Sequence, residues 1–545
     1  MPRPTRIQAA RALIDPRVGS QKACRDWFAA FLGRRADGFI RVEDFVGLLT
    51  VSPAGGGKSV NSLVPNLLSY GGNAVVVDPK GELFALTHAH RREHFGHEIV
   101  RLDPGCLYDD RHGPGDCLNA LDWIDPNSPR FIDSCRDLAN MIVVRSGMEH
   151  EPHWNDSAEN VIAALTAFIC ACEGNPDERN LRGVRTYLAS RQLYGQALSA
   201  MQEREDFRGV LQQLGHSLTW HVDKELGSVM SHTQRHTNIF DSPLIATATR
   251  RTTFDPRSLR GGKMTVYIII PSDMLAVWAA VQRLWLGTLL RVATRGVPTE
   301  ENPVLFMIDE AAHIGQMRAL EDAVTLMRGM GVRCWFFFQS LDQLKRTFGD
   351  HASTILDNLA TRQYFSINSY ETAEALSKEI GEETIAVRSD NESDNTSIPM
   401  GGGGQPQPGS RSWGRGSTIS EQGRALLKPE EVLRLPGHVS LLFHKNMRPI
   451  LAERISYYSD PAFRLGRRGY GTGLTRGPGL GSLAGALAIL LAATIGAAVA
   501  ACLPPAVEPR PRASRPAFAP ASPGDDDDPY DSRRKAYRRP VRPRF

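Results

Sequence analysis

The chain has 545 residues, with 64 Lys and Arg against 60 Asp and Glu, so its net charge is +4. That near balance excludes a global nucleic-acid or membrane-surface footprint, and the length implies two or more domains around a large apolar core. The eight cysteines (24, 106, 117, 135, 170, 172, 334 and 502) contain no C-x-x-C pair, which argues for a reduced compartment and against a disulfide framework.

Residues 1–40 form a basic lead-in with an amphipathic piece around Trp27-Phe28 and Phe31-Leu32. It lacks the uninterrupted apolar core of a signal peptide. From Phe45 the pattern becomes strand, loop, helix. Apolar runs at Phe45–Val51, Asn73–Asp78, Glu98–Asp103, Met264–Ile270, Val304–Ile308, Val332–Phe338, Gln363–Ile367 and Val439–Phe443 read as strands. Continuous apolar strands separated by helical stretches predict an α/β fold with a mainly parallel sheet covered on both faces. Its parts are expected over 41–180 and 241–463. Residues 181–240 carry helical spacing, and we read them as an all-α insertion. Seven Lys or Arg against five Asp or Glu leave that insertion without a basic stripe, which argues against direct reading of duplex DNA.

Ser52-Pro53-Ala54-Gly55-Gly56-Gly57-Lys58-Ser59 matches G-x-x-x-x-G-K-[ST] at every diagnostic position but the first, where Ser52 replaces glycine. Glycines let backbone N–H groups curl around phosphate oxygens with no Cβ in the way. Ala54 to Ser59 are therefore expected to bind a nucleotide. Lys58 would reach its β- and γ-phosphates and Ser59 would offer a hydroxyl to Mg²⁺. Pro65 predicts a short or kinked helix after the loop. Val304–Ile308 ends in Asp309-Glu310, the acidic pair a P-loop ATPase needs: Asp309 for the Mg²⁺ shell, Glu310 to polarise water. Gln339, closing the next strand, either senses the γ-phosphate or caps the helix from Leu341. A helix is expected from Ala311 to Met330, with Arg328 at its end. Arg328 either pairs with the last carbonyls or projects into a neighbouring subunit as an arginine finger. His88, His90, His94 and His97 cluster near Cys106, but the charged residues among them suggest a solvated helix rather than a metal site.

Residues 389–418 are polar and rich in Gly and Pro, which predicts a mobile loop, read as a passive connector ahead of a gating lid. The uncharged run 480–503 is long enough to cross a bilayer, and the alternative is an Ala-rich helix packed on a partner. A nucleotide site would place residues 1–479 in the cytosol. The tail 504–545 reads as disordered.

The order SPAGGGKS, VVVDPKGE, HWNDSAENVIAAL, FMIDEAAHIG and FFFQS, closed by LLFHKNMRPILAERISYYSDPAF, resembles the TraG-type coupling proteins of type IV secretion and conjugation over about residues 45–463. The resemblance implies a RecA-like P-loop ATPase using ATP and Mg²⁺, with Lys58, Ser59, Asp309 and Glu310 in the nucleotide chemistry, Gln339 as sensor and Arg328 as finger. It also implies a homo-oligomer, a hexamer, at the bacterial inner membrane. Expected partners are channel components and a relaxase–DNA complex or effector proteins. Family members usually carry N-terminal membrane helices, whereas the candidate span here is 480–503. Two further readings stay open: a DNA translocase not tied to secretion, and a nucleotide-dependent receptor that does not hydrolyse.

Overall fold

Among the described residues thirteen strands carry the architecture, and eight of them are the apolar runs named above. The computed structural model describes residues 30–463 apart from 36–37, 43–46, 146–151, 206, 220–222, 296–301 and 398–409. In chain order the strands are β1 (Ala30–Arg35), β2 (Gly38–Val42), β3 (Gly47–Val51), β4 (Ala74–Val77), β5 (Glu98–Leu102), β6 (Met264–Ile268) and β7 (Val304–Ile308). Then follow β8 (Val332–Phe338), β9 (Thr361–Tyr364), β10 (Glu382–Ser397), β11 (Ser410–Ala425), β12 (Val439–His444) and β13 (Ile450–Glu453).

Eleven strands form one sheet in the order β2-β1-β13-β12-β9-β3-β8-β7-β4-β6-β5. From β9 to β5 all neighbours run parallel, and the edge from β12 to β2 is antiparallel. Both faces are buried, so the strands read as apolar runs and not as alternating patterns. In β8, Cys334, Phe336 and Phe338 join the core on one face, while Trp335 and Phe337 join the core on the other. Helices Val64–Ser69 and Glu82–Phe95 cover the second face through Leu67, Leu68, Leu83 and Phe84. The first face carries helix Ala279–Thr294 and the helical connection between β5 and β6.

That connection is helical well before residue 181. Helix Pro152–Cys172 packs on both Phe131–Ile142 and Asp223–Thr237, with Leu181–Leu188, Arg191–Gln202 and Val210–Ser217 completing the set. Buried Arg283, in the helix after β6, donates to the carbonyls of Met141 at 2.9 Å and Ile314 at 3.0 Å, joining this connection to the turn beyond β7. No acid neutralises Arg283 among these contacts, and burial lowers its pKa to about 10.

Three expectations differ from the structure. Residues 30–42, with 30–40 expected as the end of the basic lead-in, form a hairpin that docks on β13. Ala30, Phe31 and Leu32 are all buried, so β1 shows no alternation, and a bulge between Phe31 and Gly33 breaks its register further. A Cβ on Gly33 would lie 2.8 Å from Ala452 Cβ, so the close approach of β1 and β13 requires glycine. Asn66 anchors this edge, accepting from Phe31 N at 2.7 Å and donating to Phe31 O at 2.9 Å. The second difference concerns 389–418: its described parts, 389–397 and 410–418, lie in a two-stranded ribbon, β10 paired with β11 in register from Glu382↔Ala425 to Ser397↔Ser410. Cross-strand pairs such as Arg411–Asp394 and Arg415–Glu392 stand where the sequence offers no apolar signal. The third is the helix expected from Ala311 to Met330. It is broken into a turn Ala311–Ile314, a helix Arg318–Thr325 and a turn Arg328–Met330, because Gly315 takes φ 70° and ends the first piece.

Among the described residues no helix is long and apolar enough to cross a membrane. The candidate span 480–503 and the tail 504–545 lie outside them.

Candidate nucleotide site

The loop Ser52–Ser59 leaves the carboxyl end of β3, and the chain then enters a wide, π-type helical turn, Ser59–Leu63, that runs into Val64–Ser69 with Pro65 in its first turn. Leu63 and Val64 keep right-handed helical dihedrals across the junction, so Pro65 sits where the hydrogen-bond spacing changes from π-type to α-type within one continuous segment. Gly55 and Gly57 take φ 72° and 95°, conformations other residues rarely adopt. Gly56 is required for space: a Cβ there would collide with Ser52 Oγ and sit 2.9 Å from Pro53 O. Ser52 itself is fully buried, and its N–H bonds Phe338 O at 3.0 Å. Its hydroxyl has no partner among the described residues. Serine at this position therefore leaves the turn intact and fills the space a glycine would leave empty.

The strand order places the remaining groups. β8 lies between β3 and β7, so the ends of all three converge on one edge, where a parallel sheet gathers its functional loops. Lys58 Nζ donates to Ser52 O at 3.1 Å and lies 3.6 Å from Glu310 Oε1. Gln339, ending β8 between them, donates from Nε2 to Glu310 Oε2 at 2.9 Å. The helix Leu341–Phe348 is capped instead by Ser340, whose Oγ accepts from Gln343 N at 3.2 Å. The Gln339 side chain is thus not the cap of that helix and is bonded instead to the Glu310 carboxylate. Glu310 holds φ 50°, a left-handed conformation that costs a non-glycine residue on the order of 1 kcal/mol. Its N–H is held by Asp309 Oδ1 at 3.1 Å.

Burial, reinforced by the Glu310 charge, raises the Asp309 carboxyl to about 6, with Lys58 opposing. Asp78, ending β4 beside β7, goes further, to about 7. Burial is the main cause, Asp309 adds to it, and the bond from Phe84 N to Asp78 Oδ2 at 2.8 Å opposes it. Both carboxyls thus disfavour ionisation at the ends of neighbouring strands. Lys58, Ser59, Asp309, Glu310 and Gln339 thus meet at one edge. For Arg328 the structure gives only the backbone, in the turn Arg328–Met330 that precedes β8.

Sequence reasoning missed Arg454 and Ser366, which touch Gly56 from 398 and 310 positions away. Arg454 donates to Gly56 O and, at 3.0 Å, to Ser366 Oγ. The closing segment LLFHKNMRPILAERISYYSDPAF contains Arg454 but nothing in it singles that residue out, and no motif includes Ser366. The four histidines, by contrast, go to structure. His88 bonds Phe84 O at 2.7 Å, His90 bonds Leu68 O at 2.9 Å, and His97 bonds Thr265 Oγ1 at 2.9 Å. His90 and His94 stack at 4.8 Å. Among the described residues no group of three His, Cys, Asp or Glu is placed to hold a metal ion.

A glycine loop and an acidic pair on β3 and β7, with one strand and its polar amide between them, define a RecA-like P-loop nucleotide-binding core. The comparisons narrow this class. The family model described as "Type IV secretory system Conjugative DNA transfer" matches residues 6–472, and the chain belongs to that family. It is 28% identical over 422 residues to Protein VirD4 of Rhizobium radiobacter, covering 76% of this chain and 57% of that protein. It is 26% identical over 446 residues to Conjugal transfer protein TraG of Escherichia coli, covering 76% of this chain and 68% of that one. The chain thus spans under three fifths of the length of the VirD4 relatives it matches. Among solved structures, the plasmid coupling protein TrwB in complex with ADP and Mg²⁺ aligns with a TM-score of 0.57 at 17% identity. That alignment covers 84% of this chain and 95% of that one, and it shows a shared fold.

Proposed function

We propose that the chain is an ATP-driven coupling protein that recruits DNA, nucleoprotein or effector protein substrates and delivers them to a type IV secretion channel. The observation that carries the reading is the convergence of Lys58, Glu310 and Gln339 across three neighbouring strand ends. Family membership and the coupling proteins to which the chain is similar support the assignment to secretion.

The loop fits a nucleoside triphosphate. Gly56 leaves no room for a Cβ, and Gly55 and Gly57 hold the positive φ that a backbone cradle for phosphate requires. Ala54 to Ser59 would hold the triphosphate, with the Lys58 ammonium turned from Ser52 O and Glu310 to the phosphate oxygens. Ser59 and Asp309 would hold Mg²⁺, which supplies charge neutralisation at the phosphates. Glu310 would orient and polarise the attacking water, and Gln339 would couple its position to the state of the phosphates. In a homo-hexamer, Arg328 would act across the subunit boundary as a charge-neutralising finger. Membrane attachment through 480–503 at the bacterial inner membrane would seat the ATPase in the cytoplasm beside the channel.

Lys58→Ala tests the reading. ATP turnover should fall by more than about 100-fold, and substrate transfer should cease, while the fold persists because the lysine aliphatic stem is the only packing lost. Equal turnover in variant and parent would remove the motor interpretation. Unchanged transfer with turnover abolished would remove its coupling to secretion.

A further inference from the structure

The glycine loop is braced from outside by a residue at the far end of the fold. Arg454 directly follows β13, and its guanidinium spans three segments. Nη2 donates to Gly56 O, and Nη1 donates to Ser366 Oγ at 3.0 Å and to Gly437 O at 2.5 Å. The guanidinium carbon lies 4.4 Å from the centre of the buried Phe365 ring, which fixes its plane. Ser366 has φ 54°, an uncommon conformation for serine, and its hydroxyl also faces Gly56 O at 3.4 Å. All these hydrogen-bond partners are neutral, so what the contacts secure is geometry and not charge pairing. A Cβ on Gly57 would run into both Asn61 Nδ2 and Arg454 Nη2, so the arginine and the loop backbone are packed against each other.

Which atom is gripped decides the consequence. The Gly56–Gly57 peptide is trans and planar, so its C=O and its N–H point in opposite directions. Fixing Gly56 O toward Arg454 therefore fixes Gly57 N–H toward the other side of the loop. A peptide between two glycines has no Cβ on either side to resist rotation. Bonds from Gly56 N to Pro53 O at 3.0 Å and from Asn61 N to Gly57 O at 2.9 Å hold the flanking peptides, so without Arg454 this peptide, held at its carbonyl by Ser366 Oγ alone at 3.4 Å, is the one left to turn toward the side where phosphate oxygens would lie. We infer that Arg454 is a positioning residue of the phosphate loop: it locks the Gly56–Gly57 peptide so that Gly57 N–H faces the bound anion. The antiparallel edge, which holds none of the phosphate-loop, acidic-pair or Gln339 residues, thereby sets the shape of the site.

This inference rests on the nucleotide reading, and the test separates the two. ATP affinity is measured by titration for the full chain, for Lys58→Ala, and for Arg454→Met, Arg454→Gln and Arg454→Lys, each with its melting temperature. Arg454→Met and Arg454→Gln should bind ATP about tenfold more weakly, the scale of one lost charge-assisted hydrogen bond. Arg454→Lys, which keeps one donor within reach of a carbonyl, should recover part of that loss. Hydrolysis per bound nucleotide at saturation should change by less than about threefold, because Lys58, Glu310 and Gln339 are untouched. If either neutral variant folds and binds ATP within twofold of the parent, the inference fails, even where its melting temperature has dropped. Should Arg454→Met not fold, Arg454→Gln, which buries no charge and keeps a polar head, decides alone. A parent chain that binds no ATP would instead overturn the nucleotide reading itself.

Discussion

The two halves of the eleven-stranded sheet differ in how they deliver residues to the site. From β9 to β5 every strand points the same way, so each carboxyl end falls on one edge. The loop after β3, Asp78 after β4, Asp309-Glu310 after β7 and Gln339 after β8 meet there as a matter of topology. The antiparallel edge scatters its ends to both sides, and only every second strand can contribute. β13 is such a strand: antiparallel to β12, which is antiparallel to β9, it runs with the parallel set and brings Arg454 to the same edge. The parallel half supplies the groups expected to do chemistry. The antiparallel half supplies one brace.

The sharpest way to break that division is to disturb the loop without touching a charged group. In Gly56→Ala the new Cβ meets Ser52 Oγ and Pro53 O, so the turn must open. ATP affinity should fall by more than about 100-fold, as for loss of several phosphate contacts. Adding Ser52→Gly removes one of the two obstacles and should recover part of the affinity. No recovery would mean that Ser52 does not constrain the loop. A smaller effect is expected at Gln339→Ala, which deletes the 2.9 Å bond to Glu310 but leaves the carboxylate in place. Turnover should drop about tenfold at unchanged ATP affinity, measured by steady-state phosphate release. A loss confined to affinity would reassign Gln339 from sensing to binding.

These expectations depend on groups that short motifs reveal, and the structure shows where such legibility ends. The strands carrying motifs are apolar on both faces and stand out from their helical surroundings. Asp309 and Gln339 could be assigned because each closes such a run. β1 escaped because a short strand with buried Ala30, Phe31 and Leu32, a bulge and a close-approach Gly33 has no periodicity to read. β10 and β11 escaped because their ladder joins polar residues, and polarity alone suggests a loop. The break at Gly315 lay inside a run whose apolar residues Ile314, Met317, Leu320 and Val324 are buried as a single helix would bury them. Arg454 was illegible for another reason: its partners Gly56 and Ser366 lie 398 and 88 positions away, and only the fold brings them together.

The smallest effect concerns stability. Asp78 would ionise near 3.8 in the unfolded chain but near 7 in the fold, so between those values the folded state keeps a proton the unfolded state has released. Its contribution therefore declines as pH rises from about 4 to about 7. In Mg²⁺-free buffer Asp78→Asn, which can still accept from Phe84 N, should gain melting temperature over the parent at pH 8. The gain should shrink toward pH 5, as scanning calorimetry at the two pH values would show. An equal difference at both would mean that Asp78 ionises normally.

Lys58 and Glu310, 3.6 Å apart, are expected to serve one nucleotide, one gripping it and the other driving its hydrolysis. Glu310→Gln removes the carboxylate charge while keeping its size and its bond to Gln339. Phosphate release measured with ATP binding in the same preparation should show affinity within about threefold of the parent and turnover reduced by about 100-fold or more. Turnover at the parent rate with ATP bound would contradict the account.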